Sequence, residues 1–173
     1  DAHITNIKIE DFYLDAEGYR NVGALAGQVI GGKIDNSGVY LAPYYRDEDG
    51  AKIYYNQEIE EQYGTTMAKH YATMYVIGGT NVGGLLGSTE GTTVSDCYAA
   101  VQVKGRNSVG GLIGNASNQK ITNSYATGDV FHLSMGGIHI GGFMGNATNI
   151  QMDFPIFARC ASPNGPFFNG PGE

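Results

Sequence analysis

The sequence predicts an all-β chain folded as a right-handed parallel β-solenoid, with about 27 residues per rung and one long inserted loop. Three observations support this fold: a glycine-rich motif that recurs at a nearly constant spacing, short apolar alternations between its copies, and 27 glycines among 173 residues. Stacked helices are a poor alternative, because glycine costs roughly 1 kcal/mol at each helix position and no 3.6-residue apolar stripe is present.

The repeated motif places two adjacent glycines between apolar residues in three of its four copies, and in the first copy alanine replaces the second glycine. It reads VGALAG at 22–27, VGGLLG at 82–87, VGGLIG at 109–114 and IGGFMG at 140–145. The second and third copies are 109 − 82 = 27 residues apart, and the fourth follows 31 residues later. In such a rung the Val, Leu and Ile side chains point inward, and the glycine pair suits a tight bend where a side chain would not fit.

A second motif begins nine residues after the leucine of each of the first three copies. It reads IDNSGV at 34–39, VSDCYA at 94–99 and ITNSYA at 121–126, and Ile4–Asn6 resembles its opening residues. Tyr71 is expected to share the position of Tyr98 and Tyr125, because the three tyrosines are spaced by 27 residues.

Stacked rungs place equivalent residues directly above one another, about 4.8 Å apart. Asn6, Asn36, Asp96 and Asn123 therefore form one column, which we interpret as a structural hydrogen-bond ladder rather than a row of ligand-binding amides. Cys97 falls in the column of two small serines, so a buried and inert thiol is expected.

Charge and composition exclude several classes of function. Ten Lys and Arg against 17 Asp and Glu give a net charge of −7, which lacks the positive field that nucleic-acid binding requires. There is no run of 18 apolar residues, so membrane insertion is not expected. The N-terminal residues show no secretion signal, and two cysteines do not make a disulfide framework.

The stretch from Val109 to Val130 resembles the GLUG repeat of bacterial surface proteins, and looser copies begin at Val22, Val82 and Ile140. The resemblance covers roughly residues 4–152, apart from the segment at about 42–66. GLUG repeats occur in large secreted or wall-anchored adhesins and in noncatalytic regions of proteins like the streptococcal immunoglobulin A1 proteases. The resemblance therefore implies a module at the bacterial cell surface or outside the cell, and it transfers no catalytic residue.

No catalytic site, metal site or cofactor is expected. The zinc protease motif HExxH is absent, and His132 and His139 are expected to be solvated loop histidines. A polysaccharide-active β-helix enzyme would need acidic residues on adjacent rungs to hold Ca²⁺. The asparagine column contains one carboxylate, Asp96, and the column beside it also has one, Asp35. Neither column forms an acidic patch, so an enzyme is the least favoured hypothesis.

An insertion at about residues 41–66 interrupts the repeat, and insertions in solenoids often form binding loops. Eight of the 12 tyrosines lie between Tyr40 and Tyr75, and tyrosine suits contacts with sugars and proteins. The predicted contact residues are Tyr44, Tyr45, Asp47, Asp49, Tyr54 and Tyr55. The alternative is that these rings fold back and cover a face of the solenoid.

The predicted domain limits are a solenoid at 1–152 and a Pro- and Gly-rich cap or linker at 153–173. Asn115 and Asn146 match the N-glycosylation pattern, but we expect them to mark turns.

The expected function is a noncatalytic, extracellular structural and adhesive module. Its expected partners are a protein or glycan on a host or neighbouring cell, or copies of itself stacked end to end at open rung edges. A second possibility is a noncatalytic substrate-holding domain of a large secreted protease like the immunoglobulin A1 proteases. The sequence does not separate this from an adhesive module, because the protease domain that would distinguish them would lie outside this chain.

Overall fold

A computed structural model describes residues 2–10, 12–40, 44–46, 52–54, 75–133, 139–153 and 158–159. Within these ranges the regular structure consists of β-strands. The described residues include no helix that is long and apolar enough to cross a membrane.

The strands follow one another as an opening half-rung, four rungs and a hairpin. The half-rung contains β1 (His3–Thr5) and β2 (Lys8–Glu10). The first rung contains β3 (Leu14–Gly23), β4 (Ala26–Ile30), β5 (Lys33–Asp35) and β6 (Gly38–Tyr40), and the hairpin contains β7 (Tyr44–Arg46) and β8 (Lys52–Tyr54). The second rung contains β9 (Tyr75–Gly83), β10 (Leu86–Glu90), β11 (Thr93–Ser95) and β12 (Tyr98–Ala100). The third rung contains β13 (Gln102–Gly105), β14 (Asn107–Gly110), β15 (Ile113–Thr122) and β16 (Tyr125–Thr127). The fourth rung contains β17 (Val130–His132), β18 (Ile140–Gly141), β19 (Met144–Asp153) and β20 (Ala158–Arg159).

Equivalent strands of successive rungs pair in parallel and form three sheets. Sheet A contains β1, β4, β5, β10, β11, β15 and β19; sheet B contains β2, β6, β12, β16 and β20; and sheet C contains β3, β9, β13, β14, β17 and β18. In sheet A, Ile4 pairs with Ile34, Ile34 with Val94, and Val94 with Ile121. This register confirms the predicted all-β parallel solenoid.

The core is a set of apolar columns inside the three sheets. Ile34, Val94 and Ile121 are each fully buried, and Val76, Val103 and Val130 form an equivalent inward column in sheet C. The inward side chains come from alternate strand positions, as the pleat of a β-strand requires.

The glycine pairs stand where backbones of neighbouring rungs meet. A Cβ on Gly110 would lie 2.1 Å from the carbonyl oxygen of Ile113 in its own rung and 2.6 Å from the backbone nitrogen of Gly145 in the next rung. One on Gly111 would lie 2.1 Å from the carbonyl oxygen of Gly142 in the next rung. Because backbone atoms cannot move aside as flexible side chains do, these bends require glycine.

The sequence spacing misplaces Tyr71. Tyr98 pairs with Gly38 on one side and with Tyr125 on the other, so both edges of β12 are occupied. The segment between Tyr40 and Tyr75 interrupts the repeat, and counting 27 residues back from Tyr98 therefore leads to the wrong residue. Tyr71 itself lies outside the described residues.

Candidate functional site

The tyrosine-rich insertion is described only in part. Tyr44 and Tyr45 lie in β7 and Tyr54 lies in β8, with Tyr44 opposite Tyr54 in an antiparallel pair. Asp47, Asp49 and Tyr55 lie outside the described residues. The contact role of this loop stays a prediction.

The four residues of the predicted ladder share one backbone conformation. Asn6, Asn36, Asp96 and Asn123 have φ angles of 61°, 42°, 53° and 45°, the left-handed region that Asn and Asp tolerate best. Asn36 Nδ2 donates to Asn6 Oδ1 at 2.6 Å, and Asn123 Nδ2 donates to Asp96 Oδ1. These two side-chain bonds join neighbouring rungs at the corner between sheets A and B.

Two further pairs of asparagines form hydrogen bonds between rungs at other bends. The sequence analysis did not predict them. Asn81 Nδ2 donates to Asn21 Oδ1 at 2.8 Å, and Asn149 Nδ2 donates to Asn118 Oδ1 at 2.9 Å. All four asparagines have positive φ angles. The signal that could have found the first pair is the asparagine directly before the VG of the motif at 22 and 82.

The two N-glycosylation patterns lie in strands, so the expectation that Asn115 and Asn146 mark turns is wrong. Asn115 belongs to β15 and Asn146 to β19, and the two residues are parallel partners. Asn146 Nδ2 donates to Asn115 Oδ1 at 2.8 Å, and Asn115 Nδ2 donates to Ser88 Oγ at 3.4 Å. The amides thus form another link along the stack.

Cys97 is buried, as predicted, and its lack of reactivity stays a prediction. It is fully buried and unpaired, and its Sγ donates to the carbonyl oxygen of Ser95 at 3.1 Å. Burial raises the pKa of this thiol to about 11. The neighbouring rung's Ser124 Oγ accepts the Cys97 backbone N–H, which places the serine in the same inward column.

The histidine expectation needs one correction. His132 lies in strand β17 and is half-buried, with its Nε2 2.8 Å from the Arg106 carbonyl oxygen, so it is not a solvated loop residue. His139 lies directly before β18 with a φ of 63°. Within the described ranges, no three His, Cys, Asp or Glu side chains come together in a way that could hold a metal ion.

A charged cluster lies on the outer face of sheet A, near its N-terminal edge. Asp35 accepts from Lys33 Nζ at 2.8 Å and lies 3.0 Å from His3 Nε2. Hydrogen bonds from Lys33, then Thr5 and His3, hold the pKa of the Asp35 carboxyl well below its usual range. A carboxylate held ionised by partners on its own strand and on the neighbouring strand is a poor general acid.

A stack of tyrosines lies on the outer face of sheet B; we call Tyr40, Tyr98 and Tyr125 the tyrosine stack. The Tyr98 and Tyr125 rings are nearly parallel, with centroids 5.6 Å apart, and Tyr40 lies 6.2 Å from Tyr98. The Tyr98 ring also covers Gly38, where a Cβ would come within 2.6 Å of the ring. The faces of the Tyr98 ring therefore contact other residues of sheet B.

A second aromatic surface lies on the outer face of sheet C; we call Tyr13, Tyr75, Lys104 and Phe131 the aromatic–lysine strip. The Tyr13 and Tyr75 rings meet edge to face at 6.2 Å. Lys104 Nζ lies 3.9 Å from the centre of the Tyr75 ring and 5.4 Å from that of Phe131. The sequence reasoning missed this surface.

The tyrosine stack and the aromatic–lysine strip flank the same corner of the solenoid. Tyr40 ends the last strand before the insertion, and Tyr75 begins the first strand after it. The insertion therefore leaves and rejoins the solenoid between the two aromatic surfaces.

Comparison with known proteins identifies the repeat. The family described as the GLUG motif matches residues 78–104 and 105–130. These two matches cover most of the second and third rungs and confirm the resemblance drawn from the sequence. Searches of curated proteins and of solved structures found no match.

Proposed function

We propose that this chain, a GLUG-repeat protein, is a noncatalytic module of an extracellular bacterial surface protein that holds aromatic side chains on a rigid solenoid for contact with a partner. The observation that carries the proposal is the pair of aromatic surfaces at one corner. Protein and glycan contacts depend heavily on aromatic residues, and a rigid support lowers the entropy cost of binding.

The scaffold supports this role by its stiffness. Parallel strands pair along three sheets, and hydrogen bonds between asparagines join one rung to the next at several corners. Since each rung is fixed by its neighbours, outward side chains keep a constant spacing.

Location at the cell surface is tested on intact producing cells. Antibodies against the purified chain should label these cells without permeabilisation, and brief surface proteolysis should remove the label. Labelling that requires permeabilised cells would contradict the proposal.

The adhesive role is tested by competition. The purified chain, added in solution, should reduce attachment of producing cells to host tissue or to neighbouring cells. A Tyr13→Ser/Phe131→Ser double variant should compete less well, whereas Ile30→Ser, which changes an exposed apolar residue on sheet A, should compete as the wild type does. Equal competition by all three proteins would show that the aromatic–lysine strip is not the contact surface.

The alternative role is to hold substrate in a large secreted protease. Measuring the mass of the native polypeptide distinguishes this role from an adhesive module. A product far larger than 18.4 kDa that contains a protease domain would move the proposal to that role.

A further inference from the structure

The aromatic–lysine strip takes one side chain from each of four successive rungs. Leu14 pairs with Val76, which places Tyr13 beside Tyr75, and Lys104 is the parallel partner of Phe131 in the next rung. Three rung intervals of about 4.8 Å give the strip a length of about 14 Å. Such a surface can contact several consecutive units of an extended chain.

Lys104 carries a positive charge that no described carboxylate neutralises, on a protein that is acidic as a whole. The chain carries a net charge of −7, yet Lys104 forms no ion pair with any carboxylate that the structure describes. The nearby Arg106, in contrast, is paired with Glu17 at 2.9 Å. The two aromatic rings hold the Lys104 ammonium in place without neutralising it.

The rest of the surface limits how much negative charge a ligand can carry. Asp15 lies in the same outward column as Ile77, and Asp129 directly precedes Val130 of the neighbouring strand. A single ammonium on a surface that also carries carboxylates suits a ligand with widely spaced negative charges, and the net charge of −7 repels a dense polyanion. The carboxylates can also accept hydrogen bonds from sugar hydroxyls.

We propose that the aromatic–lysine strip binds an acidic glycan with one carboxylate among several neutral sugar hydroxyls, its sugar rings on Tyr13 and Phe131 and its carboxylate on Lys104. This inference rests on the proposed contact function and names the class of ligand. Tyr13 is 59% exposed and so offers ring surface to a sugar.

The test measures binding of defined glycans to the full 173-residue chain by titration calorimetry or a glycan array. Hyaluronate and sialyllactose are the acidic probes, maltohexaose is the neutral probe, and heparin is the dense polyanion. We expect the acidic probes to bind, more weakly at high NaCl, and the other two to bind at least tenfold more weakly.

Lys104→Met keeps the unbranched side chain and removes the charge, so binding of the acidic probes should fall about tenfold or more. Lys104→Arg should retain binding, because it keeps the charge and the stacking on aromatic rings. Lys120→Met is the matched control on sheet A and should bind as the wild type does. Tyr13→Ser changes an exposed ring outside the core, and it should also weaken binding without affecting the melting temperature.

Each other outcome overturns the inference in a distinct way. Equal binding of maltohexaose, or full binding by Lys104→Met, would make the strip a neutral sugar platform and leave the proposed function standing. Binding of heparin alone would indicate nonspecific charge attraction. Binding of none of the glycans would refute the glycan ligand, and the cell competition experiment would then decide whether the corner contacts a protein.

Discussion

Gln119 is a polar side chain in the solenoid core. Its replacement by an apolar residue tests whether a position that is apolar in the next rung is more stable when it is apolar here too. Only 6% of Gln119 is exposed, and neither its Oε1 nor its Nε2 has a hydrogen-bond partner among the described residues. Its parallel partner in the next rung is Ile150, an apolar residue packed against the core. The fold therefore accommodates an apolar side chain at this position of the rung.

The size of the effect follows from the two unpaired atoms. A buried polar group without a partner costs about 1–3 kcal/mol, and methionine has nearly the same length and shape as glutamine without these groups. We expect Gln119→Met to raise the free energy of unfolding by about 1–3 kcal/mol. For a chain of this size the melting temperature should rise by roughly 2–4 °C for each kcal/mol.

The assay is urea unfolding followed by circular dichroism, with the melting temperature as a second measurement. Gln151→Met is the matched control, because Gln151 is an exposed residue of β19 and should change stability by less than about 0.5 kcal/mol. A Gln119→Met variant that is less stable than this control would refute the reasoning. Such a loss would mean that unpaired polar atoms do not set the cost at this position, as when a buried water molecule satisfies the amide and methionine displaces it.

Three further predictions concern backbone contact, thiol burial and acid stability. Gly110→Ala should lower the melting temperature several times more than Gly91→Ala, because a Cβ on Gly110 meets three backbone atoms within 2.8 Å, whereas one on Gly91 meets nothing within 4 Å and adds only the strain of a side chain at a φ of 61°; equal losses would show that the backbone around Gly110 shifts to make room for a methyl group. In a Cys160→Ser variant, Cys97 should resist iodoacetamide at pH 8 until the chain is unfolded, because its pKa is raised to about 11 and the thiol is fully buried; rapid labelling of the folded protein would contradict this. Asp35→Asn should destabilise the protein at neutral pH, and the difference from the wild type should shrink as the pH falls below about 4. The sign follows from the lowered pKa of Asp35: its stabilising effect is present above the unfolded-state pKa and is lost as the pH falls towards the folded-state pKa. A stability difference that stays constant from neutral to acid pH would show that ionisation of Asp35 is not the cause.

The sequence was sufficient to predict the solenoid because its strongest constraints recur once in each rung. Gly110 and Gly111 show the reason: each would place a Cβ against a neighbouring backbone carbonyl, so few other residues can occupy these positions. The inward column of Ile34, Val94 and Ile121 is equally restricted, since all three are fully buried. Positions under such constraints repeat in residue type, and a repeat in residue type is visible in one sequence.

The bend that precedes each glycine motif was harder to recognise from the sequence. Its backbone conformation is the same in every rung, but its residue type is not. The bend of Asn21 and Asn81 continues with Ser108 and His139, and all four residues have φ angles between 50° and 63°. The side chains differ, so comparison of residue types detects only the first two. A backbone dihedral angle has no direct record in the sequence when several residue types can adopt it.

The aromatic–lysine strip was invisible for a different reason. Tyr75 and Lys104 are not equivalent positions of the repeat, because the parallel partner of Tyr75 is Gln102 and that of Lys104 is Ile77. They meet diagonally, since a long lysine side chain reaches across to the ring of the neighbouring rung. Inward positions of a solenoid must all fit the same core, whereas outward positions can differ from rung to rung without loss of packing. The residues that break the repeat on the outer faces are therefore the ones to examine first for binding, and on sheet C they lead to Lys104.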